Sequence, residues 1–339
     1  MSRSSLYDPC ARSTPALSKS MVAAVVKSGG RIDYCDLPIP TPRAHGVRIR
    51  VEGCGVCTTH LPVWNGSIAH PFAPGAPGRE AWGVVDAVGS EVTHLEPGQR
   101  VAFFARHGYA QYDIADAAFV LPLPSSLNGL PFPTEPLTTA VNIFRRTAIS
   151  PRDYVAIIGI GFVGALLVQL ATLAQARVIA LDDRLCPLRF ARQLGAEHTL
   201  AIHDPMDRHD VVRTVREMAD GGLCDIVIEA TGTQAALDLA AELTRERGRL
   251  VVAGCQHDGL RTVDMRLWNW RGLDIINAYD RSPTLFQEGL KEAIAAVESG
   301  LLTPAPLYTH RFPLERLGEA LTLAGERPEG FMKALIDIE

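Results

Sequence analysis

Three glycines in the run IIGIGFVG, residues 157–164, stand at the spacing that dinucleotide chemistry demands. Gly159 permits a tight turn, Gly161 lets the backbone approach a pyrophosphate, and Gly164 lets a helix pack closely on a strand. The helix that begins there offers free N–H groups and a favourable dipole to phosphate oxygens. Asp182 closes the next apolar run, eighteen residues after Gly164, where a carboxylate accepts hydrogen bonds from ribose hydroxyls. Asp183 follows at once. Two carboxylates where a 2′-phosphate would have to sit favour NAD(H) over NADP(H). Arg184 argues the other way, because a guanidinium nearby can hold that phosphate.

Such a loop needs a strand before it and a helix after it. Val155, Ile157 and Ile158 make a short β-branched run, and Ala165 to Gln175 a helical one. Residues 154–176 carry no charge and are long enough to span a bilayer. The glycine loop splits them instead into a buried parallel strand and a helix packed on its sheet. From about residue 153 apolar strands alternate with helical runs: YVAIIGIG, ALLVQLATLAQA, RVIALDD, CPLRFARQLGA, CDIVIEATG, QAALDLAAELTRE, GRLVVAGC and LDIINAYD. That alternation predicts βαβ units and a doubly wound parallel sheet, an α/β fold. Residues 21 to about 125 read differently. Short alternating stretches (VRIRVEGCGV, WGVVDAVG, QRVAFFA) are broken by PFAPGAPG and EPGQ, which predicts a β-rich region. The Pro-rich run LPLPSSLNGLPFPTEP marks a boundary, and the strand KALIDIE closes the chain.

Composition narrows the function further. The chain has 339 residues, 47% hydrophobic and 21% charged, so it has ample material for a buried core and two domains of ordinary size. A net charge of −5 without a long basic run argues against nucleic acid and anionic membrane partners. The first twenty residues are polar, lack the apolar core of a secretory signal, and read as a flexible N-terminal extension. Seven scattered cysteines, with one close pair at Cys54 and Cys57, do not form a disulfide framework. They point to a reduced, cytoplasmic setting.

The ordered series VRIRVEGCGVCTTHLPVWNG, PGAPGREAWGVVDAVGSEVTHLEPGQRV, the glycine loop, DIVIEATG and THRFPLERLGEALTL resembles the medium-chain dehydrogenase/reductase superfamily. The resemblance is to its zinc-type alcohol and polyol dehydrogenases, and it runs from about Met21 to the C-terminus. It implies a GroES-like catalytic domain from residues 21–148 and 283–339 around a Rossmann domain of residues 149–282. It also implies a homodimer or homotetramer. In that family a GVC motif supplies the first zinc ligand, matched here by Cys57. A GHE motif supplies the next, matched by Gly78-Arg79-Glu80, and a Cys or Glu before the cofactor domain the third, nearest to Glu135. Arg79 is the departure. A guanidinium has no lone pair to give a metal, and losing one of three protein ligands should severely weaken a catalytic zinc site. His60, three residues after Cys57, is a possible replacement donor. Between Cys57 and Cys186 there is no cysteine, which excludes the family's four-cysteine structural zinc lobe.

The expectation is therefore an NAD(H)-dependent oxidoreductase that interconverts an alcohol and a carbonyl in a small polar metabolite, with no metal among its site residues. Arg79 has three open roles: the electrophile, a clamp for a substrate carboxylate or phosphate, or a filler of the vacated metal pocket paired with Glu80. By the resemblance Thr59 relays the substrate proton, Thr139 lies near the nicotinamide, and Phe162, Val163 and Thr231 line the cofactor groove. Cys57 is either a remnant with a function or a small buried hydrophobe. Two alternatives stand beside this reading: a zinc-independent imine or C=C reductase, and a non-catalytic NAD(H)-binding sensor or scaffold. Trp64, Trp268, Trp270 and His310 are expected at packing or interface positions rather than in catalysis.

Overall fold

The computed structural model describes residues 20–67, 73–202, 208–255, 259–279 and 282–338, so nearly all of the expected N-terminal extension lies outside it. In chain order the elements are β1 (Ser20–Lys27), β2 (Arg31–Pro38), β3 (Gly46–Gly55), α1 (Leu61–Trp64), β4 (Glu80–Val88), β5 (Arg100–Phe103), β6 (Tyr112–Asp116), β7 (Val120–Pro122) and α2 (Thr134–Thr147). Then come β8 (Tyr154–Ile158), α3 (Phe162–Leu173), β9 (Arg177–Asp182), α4 (Leu185–Gln193), β10 (His198–Ala201), α5 (Arg208–Met218), β11 (Cys224–Glu229), α6 (Gln234–Leu243) and β12 (Thr244–Val252). The chain ends with α7 (Met265–Arg271), β13 (Asp274–Asn277), α8 (Pro283–Glu298), β14 (Tyr308–Pro313), α9 (Leu317–Glu326) and β15 (Lys333–Asp337).

The chain divides into two compact units. One holds residues up to Glu135, His310–Arg327 and Lys333 onward; the other holds Pro136–Thr309 and Pro328–Met332. Residues 136–148 and 283–309 therefore group with the parallel sheet, whereas the expected boundaries put them in the β-rich domain. Bonds from Arg249 to the Thr147 carbonyl at 2.8 Å and from Thr303 N–H to Gln169 of α3 at 2.8 Å tie these segments to the parallel-sheet unit, and α2 and α8 pack on each other. A Cβ on Gly289 would lie 2.3 Å from Asn142 Oδ1, and Arg145 bonds Glu288 at 3.0 Å. Contacts between helices far apart in sequence leave no local signal.

In the first unit β1 and β2 form an antiparallel hairpin, turned by Gly29 and Gly30, both at positive φ. The main sheet runs β14-β15-β3-β4-β5-β7, with β6 against β3. Val47, Ile49 and Val51 of β3 are fully buried while Arg50 is exposed, as a strand with one face on the core requires. In the second unit six parallel strands run β10-β9-β8-β11-β12-β13, the order of a doubly wound dinucleotide fold. Val155, Ala156, Ile157 and Ile158 have no exposed surface, because helices cover both faces of such a sheet. Helix α3 buries Gln169 as well. Its amide oxygen accepts from Thr303 N–H at 2.8 Å and Thr303 Oγ1 at 3.0 Å, which satisfies an otherwise costly polar group. The uncharged stretch that could have spanned a bilayer is β8 and α3, and no described helix is long and apolar enough to cross a membrane.

Cys35 is disulfide-bonded, while Cys54, Cys57, Cys186, Cys224 and Cys255 are free thiols.

Candidate active site

Strand register builds the first cluster. In the antiparallel pairing of β3 and β4, Gly55 stands opposite Glu80 and Cys54 opposite Ala81; β15 pairs the other edge of β3, with Leu335 opposite Gly55. Glu80 opens β4 and Lys333 opens β15, so both side chains meet beside the end of β3. Lys333 Nζ lies 2.5 Å from Glu80 Oε2 and donates to the Val56 carbonyl at 2.9 Å. Both are buried, at 6% and 1% exposure. A Cβ on Gly55 would lie 2.0 Å from Glu80 Oε2, so a larger residue there would displace that carboxylate. Burial by itself would lower the Lys333 pKa; the charge of Glu80 and the bond to it outweigh that and raise it. Lys333 is thus a buried ammonium at ordinary pH.

Cys57 follows that strand end. Burial, with the charge of Glu80 added, pushes its thiol up to about 12, so the group is a thiol and not a thiolate near neutrality. Its sulfur lies 3.0 Å from Thr59 Oγ1. Arg79 Nη2 donates to that same hydroxyl oxygen at 3.2 Å. A guanidinium only donates, so Thr59 accepts from Arg79 and keeps its own proton for another partner. Glu80 pairs with Lys333, and Arg79 donates to Thr59. Glu135, in the first turn of α2, belongs to the same neighbourhood, because its charge raises both Cys57 and Lys333. His60 is buried at 2% exposure and packs edge-on against Tyr109, ring centroids 6.3 Å apart.

These residues fit a catalytic zinc poorly. The position where the resemblance calls for an imidazole holds a guanidinium, which has no lone pair to give, and Glu80 is paired with an ammonium. Among the described residues no three His, Cys, Asp or Glu side chains converge as metal ligands.

The second cluster lies at the carboxyl ends of the parallel strands. Gly159 has φ +93°, and a Cβ on Gly164 would lie 2.1 Å from the Gly159 carbonyl, so both glycines are required by geometry. Gly161 is exposed and caps α3, leaving the helix N-terminus bare. Asp182 ends β9 as expected but is already engaged. Its Oδ2 accepts from Ile160 N–H at 2.7 Å, and its Oδ1 from Arg184 N–H at 3.0 Å and Nε at 3.2 Å. Burial raises its pKa, against the lowering effect of Arg184. Asp183 is exposed, with its carboxylate 3.6 Å from Arg184 Nε. Phe162 is 7% exposed and stacks on Tyr308 at 5.7 Å, so its ring is a packing element. Val163 and Thr139 are half-buried and Thr231 is exposed.

Two family profiles match: "Alcohol dehydrogenase GroES-like domain" over residues 43–125 and "Zinc-binding dehydrogenase" over residues 163–295. They follow one another in the expected order, the first covering Cys57 to Glu80 and the second Gly164 to Thr231. The chain is a medium-chain dehydrogenase/reductase. The enzyme is 28% identical over 345 residues to sorbitol dehydrogenase of Gallus gallus, covering 91% of this chain and 94% of that protein. Its fold matches a chain assigned as a zinc-binding dehydrogenase of Sinorhizobium meliloti 1021 bound to NADP (TM-score 0.82, 24% identity, 94% of this chain and 100% of that one). It also matches a short chain alcohol dehydrogenase of E. coli CFT073 complexed with NADH (TM-score 0.83, 21% identity, 94% and 99%).

Two residues of these clusters carry little signal in the sequence. Lys333 stands in FMKALIDIE, and a single Lys inside an apolar closing strand was the available hint. Glu229, the last residue of β11, has no exposed surface and accepts from Thr231 and Gly232. Trp64 borders a recess of about 360 Å³ in the first unit, and Trp268 one of about 380 Å³ in the second. Neither recess is lined by Cys57, Arg79 or the glycine loop.

Proposed function

We propose that the enzyme is an NAD(H)-dependent dehydrogenase that interconverts an alcohol and a carbonyl in a small polyol-like metabolite, without catalytic zinc. The observation that carries this reading is the chain Arg79–Thr59–Cys57 beside the buried Glu80–Lys333 pair. A bound nicotinamide would supply the hydride acceptor, and Thr59 would pass the substrate hydroxyl's proton on to solvent. Arg79 stabilises the negative charge that grows on the substrate oxygen, the task a Lewis acid otherwise performs. The relatives named for sorbitol and alcohol support the substrate class, and the carboxylates of Asp182 and Asp183 support NAD(H) over NADP(H).

Nicotinamide absorbance, followed with polyols and their ketones with and without chelator, tests this. The expected result is NAD-linked turnover that chelator does not change, in protein lacking stoichiometric zinc. Turnover lost to chelator and restored by zinc overturns the metal-free reading. Asp182→Ala is expected to weaken NADH binding about tenfold or more, the worth of a charged hydrogen bond; unchanged binding removes Asp182 from the site.

We further propose that the enzyme self-associates as a homodimer or homotetramer through the β13 side of its parallel sheet. β13 is an edge strand, and its neighbourhood exposes Trp270 (86%), Tyr279 (57%) and Ile275 (36%). Exposed apolar groups beside an open edge favour association. Sedimentation velocity should show an oligomer at micromolar concentration and a smaller species for Trp270→Lys. A wild-type monomer overturns the proposal.

A further inference from the structure

We propose that Glu229 is a positioning residue for the nicotinamide half of the cofactor, an inference that rests on the dinucleotide reading above. Strand order supplies the direction. β8, which leads into the glycine loop, has β9 on one side and β11 on the other. Asp182, the ribose-binding acid of that reading, ends β9. A dinucleotide bound across this switch point therefore carries its adenosine toward β9 and its other half toward β11. Glu229 is the last residue of β11.

A carboxylate with no exposed surface is costly unless its lone pairs are used. Glu229 Oε1 accepts three bonds, from Thr231 N–H at 2.6 Å, Thr231 Oγ1 at 2.6 Å and Gly232 N–H at 2.7 Å. Its own carbonyl accepts from Ala253 N–H at 2.8 Å and Gly254 N–H at 2.7 Å. One residue thereby ties the loop after β11 to the loop after β12. The two loops interlock tightly. Gly232 has φ +82°, a Cβ on it would lie 2.2 Å from the Cys255 carbonyl, and a Cβ on Gly254 would lie 2.2 Å from Gly232 N. The loop also closes on the fingerprint, since a Cβ on Gly159 would lie 2.5 Å from Thr231 Cγ2. Glu229 thus fixes Thr231 against the first glycine of the phosphate loop, on the side away from the adenosine. All three partners of Oε1 are donors, which a carboxylate accommodates and a hydroxyl or ammonium does not.

Fluorescence titration of NADH, with ADP as a probe of the adenosine half alone, tests the assignment on the full chain. Glu229→Gln is expected to raise the NADH Kd about tenfold and to leave the ADP Kd unchanged. Thr231→Val, which removes the hydroxyl's bonds to Glu229 Oε1 and to Thr233 at an exposed position, is expected to raise the NADH Kd about threefold, again sparing ADP; it decides the matter if Glu229→Gln does not fold. In steady state the KM for NAD should rise more than kcat falls. Wild-type NADH affinity in both variants overturns the proposal. So does an equal weakening of ADP, which would mean that Glu229 supports the whole site without favouring one half. A wild-type protein that binds ADP but neither NADH nor NADPH overturns the cofactor reading itself, and the proposal with it.

Discussion

Replacing Arg79 with alanine is expected to lower kcat/KM for alcohol oxidation by about a hundred- to a thousandfold, the loss seen when one preorganised donor to a developing oxyanion is removed. The expectation follows from the position of the guanidinium. Arg79 donates to Thr59 Oγ1 at 3.2 Å, and Thr59 lies 3.0 Å from the Cys57 sulfur. Substrate oxygen placed at Thr59 is therefore also within the field of Arg79. The division between kcat and KM identifies the role. A fall in kcat and kcat/KM together marks an electrophile acting in the transition state, whereas a rise in KM with kcat unchanged marks a clamp for a substrate anion. Arg79→Lys is expected to fall well short of the wild type, because an ammonium lacks the planar fork. Arg79→His restores the residue type of zinc-dependent relatives. If it retains full activity without zinc, Arg79 is not the electrophile.

Replacing Lys333 with methionine is expected to destabilise the first unit by roughly 3–5 kcal/mol, because it strands the Glu80 carboxylate without its counter-charge in the protein interior. Thermal unfolding should fall by about ten degrees. The double variant Lys333→Met with Glu80→Gln should recover much of the loss, since the cost lies in the unpaired charge. Recovery is the test that separates a charge effect from a packing defect; a double variant as unstable as the single one shows that the pair is not the cause. The pH dependence follows from the raised pKa of Lys333. A lysine whose folded pKa exceeds its unfolded value contributes its full stability below the unfolded value, and loses it as pH rises through the folded one. The wild type should accordingly lose stability on the alkaline side, and the Met variant should lack that part of the decline.

Much of the second unit was legible. Gly159, Gly161 and Gly164 are separated by a handful of residues, and their requirement is local: a turn at positive φ, a bare helix N-terminus, a close helix–strand contact. Asp182 was placed at the end of β9 by the same local logic. What could not be read was its prior engagement with Ile160 and Arg184, or the turn of Phe162 onto Tyr308, because both depend on side-chain packing after the loop has closed. The Arg79 departure was visible at once, since a guanidinium cannot ligate a metal wherever it sits. Its bond to Thr59 was not legible, because it joins residues twenty positions apart that only the fold brings together.

Periodicity and spacing, then, determined by themselves the α/β class and the dinucleotide loop, since each is a property of neighbours along the chain, while the broken metal motif was read from the family resemblance. Only the tertiary structure decided which charges meet. Lys333 reaches the Val56 carbonyl across 277 residues of sequence, because antiparallel register aligns β15 and β4 on the two edges of β3. A buried carboxylate must then take whatever cation that register delivers.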